Sequence, residues 1–219
     1  EIDFSDQIKA KNLDDLTYVE TPEVFLKTAE SDFQYMDINI NPLLNFPPPK
    51  NSSDQTKREL LEMKTFMESD HSEDFKSNLK KMDEDPAGFI INEYKKISNK
   101  SVPKKVLDFI TGGDVEVLAM KLKMHYNRPR PYQIADYYEI NLNYNKTIQH
   151  GEANAPSYPS GHTLAAYFAA RVIGYIDPKY QEDLIKKAEM VADSRIAEGV
   201  HFKSDNNFSF ALVDNTMMK

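Results

Sequence analysis

The chain has 219 residues, a formal net charge of −8, 40% hydrophobic and 28% charged residues, and no cysteine. That length can bury a sizeable core within one domain. The acidic balance argues against nucleic acid or an acidic membrane surface as partner, and the missing thiols exclude disulfides, thiol catalysis and cysteine-ligated zinc.

Residues 1–50 are acidic and irregular and are predicted to lie as an N-terminal segment on a helical domain spanning 51–219. Within that segment, Thr21-Pro22-Glu23 predicts a helix start, with Thr21 as cap and Pro22 at the first helical position. Val24, Phe25, Thr28 and Ala29 would share one face. The run Asn45-Phe46-Pro47-Pro48-Pro49 cannot be helical inside and reads as an extended strap with no chemistry of its own. Asn51-Ser52-Ser53-Asp54 then caps a helix predicted through Ser69, its core stripe being Leu60, Met63, Phe66 and Met67. His71, among Ser and Asp residues, reads as a solvated connection. Further helices are predicted near 72–81, near 86–97 with Phe89, Ile90 and Tyr94 inward, and from Val102-Pro103 to Gly112-Gly113. Together these read as a helical bundle.

Asp114 is predicted to cap the next helix, which carries Val115, Leu118, Ala119 and Leu122 and ends at the Arg-Pro pairs of 128–131. Residues 133–158 show little periodicity and read as a long loop, with His150 a solvated residue in it. Ser160-Gly161-His162 opens a helix that is apolar nearly all round and so belongs at the centre. Its apolar run, Leu164 to Ile176, contains Arg171 and Gly174 and is too short to span a bilayer. No signal-peptide pattern is visible, and the chain opens on Glu1 rather than Met, as a processed chain does. After Asp177-Pro178 a last long helix carries Leu184, Ile185, Ala188, Val191 and Ala192 on one stripe. Arg195 continues that stripe. A buried arginine needs an anion; Asp193 and Glu198 are expected elsewhere on the wheel, so a bound anion is predicted as its partner. If the following segment is helical, Asp205 reaches the imidazole of His201.

Three donor clusters therefore stand out in an acidic chain: Lys and Arg-Pro over 121–131, Ser160-Gly161-His162, and Ser194-Arg195 with His201 and Asp205. A free helix N-terminus, cations, a nucleophile and a separate acid are what phosphoryl transfer needs.

The pattern Lys-x6-Arg-Pro, Pro-Ser-Gly-His, Ser-Arg-x5-His-x3-Asp resembles the superfamily of type 2 phosphatidic acid phosphatases and vanadium haloperoxidases. The stretches 126–132, 157–163 and 199–205 are similar to the soluble bacterial class A non-specific acid phosphatases, and the resemblance covers roughly 114–213. It implies an all-α, single-domain bundle with the active site at helix ends in the core. It implies a metal-independent phosphomonoesterase acting on small soluble phosphate esters through a phosphohistidine. His201 would be the nucleophile, Asp205 would orient it, and His162 would protonate the leaving oxygen and then activate water. Lys123, Arg130, Ser160, Gly161 and Arg195 would hold the phosphoryl oxygens. Lys121 with Arg128 satisfies the first motif equally well; the aromatic-flanked match favours Lys123 with Arg130.

No metal and no resident cofactor are expected. Vanadate enters only under the alternative of a vanadate-dependent haloperoxidase; a non-catalytic phosphate-binding protein is the third reading. The expected partner is a small phosphorylated substrate, with no nucleic acid, no membrane and an undetermined oligomeric state. Class A enzymes usually carry cysteines, so their lack here favours the cytoplasm over the periplasm or the outside of the cell for the expected soluble chain. Only fourteen residues follow Asp205, which predicts either a short final helix or a truncated chain.

Overall fold

The computed structural model describes residues 12–18, 21–142 and 154–218, and among these the regular structure is helical throughout. His150 and residues 143–153 of the predicted 133–158 loop fall outside the described residues. The helices are α1 (Glu23–Glu30), α2 (Asp54–Met67), α3 (Glu73–Glu84), α4 (Pro86–Ser98), α5 (Lys104–Thr111), α6 (Asp114–Tyr126), a single turn α7 (Pro131–Ile134), α8 (Gly161–Ile176), α9 (Gln181–Ala197) and α10 (Lys203–Leu212). A 3-10 turn over Asn41–Asn45 follows α1, and another, Ala135–Tyr138, occupies part of the predicted loop.

The expected central helix is α8. It is buried on nearly every side and touches α4, α5, α6, α9 and α10. Leu164, Phe168 and Ile173 are fully buried, with Leu118 and Leu122 of α6, Ile90 of α4, and Leu184 and Val191 of α9 in the same core. At the far end, a Cβ on Gly174 would lie 2.7 Å from Gln181 Cγ, so the absent side chain lets α9 start against α8. A second core joins Leu13, Leu60, Met63, Ile134 and Phe202, bringing the chain start, α2 and the residue after His201 together.

Side chains cap three helix starts, the first of them within the predicted Asn51–Asp54 run. Ser53 Oγ accepts from Thr56 N, Ser72 Oγ from Phe75 N, and Asp85 from Gly88 N. Other starts differ from the prediction. Pro22, not Thr21, holds the cap position of α1, and Val24 is exposed while Phe25, Thr28 and Ala29 are half-buried. Asp114 does not cap α6. Its buried carboxylate accepts the backbone N–H groups of Gln34, Tyr35 and Met36, each at 2.7 Å, and so ties the N-terminal segment to α6. His71 is not solvated, because its ring lies 4.7 Å from both Phe66 and Phe75.

The strap is held from below. Tyr126 donates to the Leu43 carbonyl and accepts from Phe46 N, and Tyr158 donates to the Phe46 carbonyl at 2.9 Å. Tyr158 also stacks on Phe208 with centroids 4.5 Å apart.

Candidate active site

Local rules bring the site residues together. Helix α6 ends because Asn127 takes a left-handed conformation, φ 45°, a step asparagine tolerates. Arg128 and Arg130 then enter the interior on non-helical backbone. Helix α9 ends in a Schellman closure: Val200 N donates to the Arg195 carbonyl and Gly199 N to that of Ile196, with Gly199 at φ 69°. The reversal carries His201 to the start of α10. There Asp205, at the third helical position, accepts from Phe202 N at 2.9 Å and fixes that start. The starts of α8 and α10 are tied together, since Ser209 Oγ donates to the Ser160 carbonyl.

His201 is almost wholly buried and sits between two fixed partners. Nδ1 lies 3.2 Å from Asp205 Oδ2, and Nε2 lies 2.9 Å from Arg130 Nη1. A carboxylate accepts and a guanidinium donates, so the ring carries its proton on Nδ1 and presents a lone pair at Nε2. Burial, first, and then the charges of Arg130, Lys123, His162 and Arg195 hold its pKa well below the usual imidazole range. Asp205 is fully buried. Burial pushes its pKa up, while the Arg128 charge, Ser157 Oγ and Phe202 N, all directed at it, oppose that.

The basic pairs separate cleanly. Lys121 and Lys123 lie about 200° apart around the helix axis. Lys121 donates to the Ala29 carbonyl at 2.9 Å, away from His201, whereas Lys123 is buried and donates to the Pro156 carbonyl at 2.5 Å. Arg128 donates to Asp205 Oδ1 at 2.6 Å and Ser204 Oγ at 2.8 Å, and lies over the Phe202 ring at 3.9 Å. Arg130 holds the Ala155 and Val200 carbonyls and His201.

A cavity of about 230 Å³ opens onto Lys123, Arg130, Gly161 and His201, with Phe25, Ile110, Val115 and Met120 among its walls. Gly161 needs no hydrogen for the fold: a Cβ there would meet only Lys123 Cε, at 4.0 Å. Gly161→Ala is therefore expected to melt within a few degrees of the native chain yet to lose turnover roughly tenfold or more, because the methyl projects to where an oxyanion would meet Lys123. Melting and initial-rate measurements on the same preparation check this; native-like turnover would contradict it.

The remaining predicted residues stand behind this floor. Ser160 Oγ donates to Thr163 Oγ1 at 2.9 Å and accepts from Thr163 N, as a helix cap does. His162 Nε2 lies 2.8 Å from the Asp83 carbonyl; a carbonyl only accepts, so that nitrogen bears a proton. Arg195 is buried, and protein carboxylates reach it where the wheel predicted none. Nη1 donates to Asp83 Oδ1 and Nη2 to Glu198 Oε1, both at 2.8 Å. Residues three apart share a helix face, which brings Glu198 within reach.

Sequence reasoning missed Arg128, Ser157, Asp83 and Glu198 as parts of this network. Arg128 carried a signal, the duplicated Arg-Pro. Asp83 carried none, lying 112 positions from Arg195.

The family model described as PAP2 superfamily matches residues 109–212. A non-specific acid phosphatase of Providencia stuartii is 29% identical over 112 residues, covering 50% of this chain. The chain thus spans less than half of that relative's length, 43%. Among the described residues no helix is long and apolar enough to cross a membrane. The stretch matched by the PAP2-superfamily model, from the end of α5 through α10, is the one that supplies Lys123, Arg130, Gly161 and His201.

Proposed function

We propose that the chain is a phosphatase that hydrolyses small phosphate monoesters without a metal, through a phosphohistidine on His201. The observation that carries this reading is the buried pair Asp205–His201, which leaves an unprotonated Nε2 at a cavity floored by Lys123, Arg130 and Gly161. The match to a PAP2-superfamily model and the likeness to an acid phosphatase support it.

In the first step the Nε2 lone pair forms the N–P bond as the P–O bond to the leaving group breaks. Arg130, which faces Nε2, exchanges that contact for a phosphoryl oxygen. Lys123 and the N–H groups at the start of α8 take up the remaining charge. His162 exchanges the contact of its Nε2–H with the Asp83 carbonyl for the leaving oxygen and protonates it. It then removes a proton from the water that attacks phosphorus, and the N–P bond breaks to return Nε2. Asp205 keeps Nδ1–H in place throughout.

Hydrolysis of an aryl phosphate is expected to continue in excess chelator. Because the depressed His201 pKa keeps Nε2 unprotonated in acid, the acid limb of kcat/KM should fall below the pKa of a free histidine, about 6.5. Stability has the matching sign. Below about 6.5 the unfolded chain takes up a proton that folded His201 refuses, so stability declines as pH drops from there. Activity abolished by chelator, or an acid limb at or above 6.5, would overturn the proposal.

A further inference from the structure

Resting on that phosphoryl site, we propose that Asp83 and Glu198 are positioning residues for Arg195, and that Glu198 sets how steeply the site's affinity for oxyanions falls as pH rises. The guanidinium of Arg195 is gripped at every nitrogen. Nε reaches Ser194 Oγ at 3.2 Å, Nη1 reaches Asp83 and Nη2 reaches Glu198. Each Nη retains a second N–H for an incoming oxyanion. The two carboxylates therefore fix the group's position and remove its charge. With both ionised the cluster carries one net negative charge; with Glu198 neutral it carries none.

Three observations single out Glu198 as the titrating member. Its Oε1 takes the bond to Arg195, while Oε2 is buried and has no hydrogen-bond partner among the described residues. An ionised carboxylate with one oxygen dry and unbonded is costly; a protonated one is less so. It is the C-cap residue of α9, at the negative end of the helix dipole. Burial pushes its pKa up to about 7, with Asp83 adding to the rise and Arg195 opposing it. The titratable and charged groups facing it are Arg195 on its own helix, Asp83 from α3 and, across Asp83, His162 of α8, whose Nε2 lies 3.7 Å from the Asp83 carboxylate.

Sulfate does not titrate between pH 5.5 and 8, so its binding by calorimetry reads the protein's groups alone. Native protein is expected to bind sulfate about tenfold more weakly at pH 8 than at pH 5.5. Glu198→Gln should bind at pH 8 nearly as it does at pH 5.5, losing most of that dependence, and in turnover its KM at pH 8 should drop more than its kcat changes. Asp83→Asn should keep the pH dependence but move its midpoint to lower pH, since the repulsion that raises Glu198 is gone. A Glu198→Gln profile parallel to the native one, or an unmoved midpoint in Asp83→Asn, would overturn the inference. Sulfate binding to neither protein would instead overturn the phosphoryl site on which it rests.

Discussion

His201→Ala is expected to lower turnover of an aryl phosphate by about 10³-fold or more while leaving the protein folded. The imidazole supplies the only lone pair assigned a bond to phosphorus, and alanine has no group to replace it. The fold should tolerate the loss. Asp205 keeps Arg128, Ser157 Oγ and Phe202 N as partners, so no buried carboxylate is stranded. Truncation leaves a cavity next to Arg130, whose guanidinium still holds the Ala155 and Val200 carbonyls. Circular dichroism and sulfate binding report the intact site, and initial rates report the chemistry. A drop of less than about tenfold would remove His201 from the nucleophile's role.

Arg128→Ala should do the opposite, acting on the fold before the chemistry. A loss of about 3–5 kcal/mol in unfolding free energy is expected, the range for removing one partner of a buried ion pair. Asp205 is fully buried and Arg128 lies 2.6 Å from it. The same substitution removes the guanidinium from the Phe202 ring and from Ser204, which in turn donates to Glu59 of α2 at 2.7 Å. Lys121→Ala is the control within the duplicated motif. Its ammonium holds one carbonyl at the edge of α1, so a change of about 1 kcal/mol or less is expected. Urea denaturation of the two variants side by side makes the comparison; equal losses would mean that Arg128 is not the charge that keeps Asp205 inside.

The helices and the core stripes were legible because they depend on spacing within a few turns. Leu60 and Met63, Phe89 and Ile90, and Leu164, Phe168 and Ile173 all point inward as their periodicity requires. The cap at Ser53 acts within three residues and was read within the Asn51–Asp54 run, whereas the equally local caps Ser72 and Asp85 were not singled out. What could not be read were partners supplied from a distance. Asp114 looked like a cap for its own helix but serves backbone 78 to 80 positions earlier. Arg195 looked unpaired because Asp83 is invisible from its helix and Glu198 was placed on the wrong side of it. The duplicated Lys and Arg-Pro spacing was ambiguous for a geometrical reason. The helix ends at Asn127, so the seven-residue interval crosses from helix to extended chain and one periodicity cannot describe it.

The latch at the strap ties together regions that lie far apart along the chain. Tyr126 and Tyr158 adjoin two of the three motifs, and both phenols clamp residues 43–46. Leu13, Leu60 and Met63 meanwhile back the segment that holds Phe202. The stretch matched by the family model leans on the rest of the chain: cut free at 109, it would lose the floor beneath Phe202 and the anchor points of two phenolic hydroxyls, and proteolysis near the prolines at 47–49 should slacken a candidate site encoded more than seventy residues downstream.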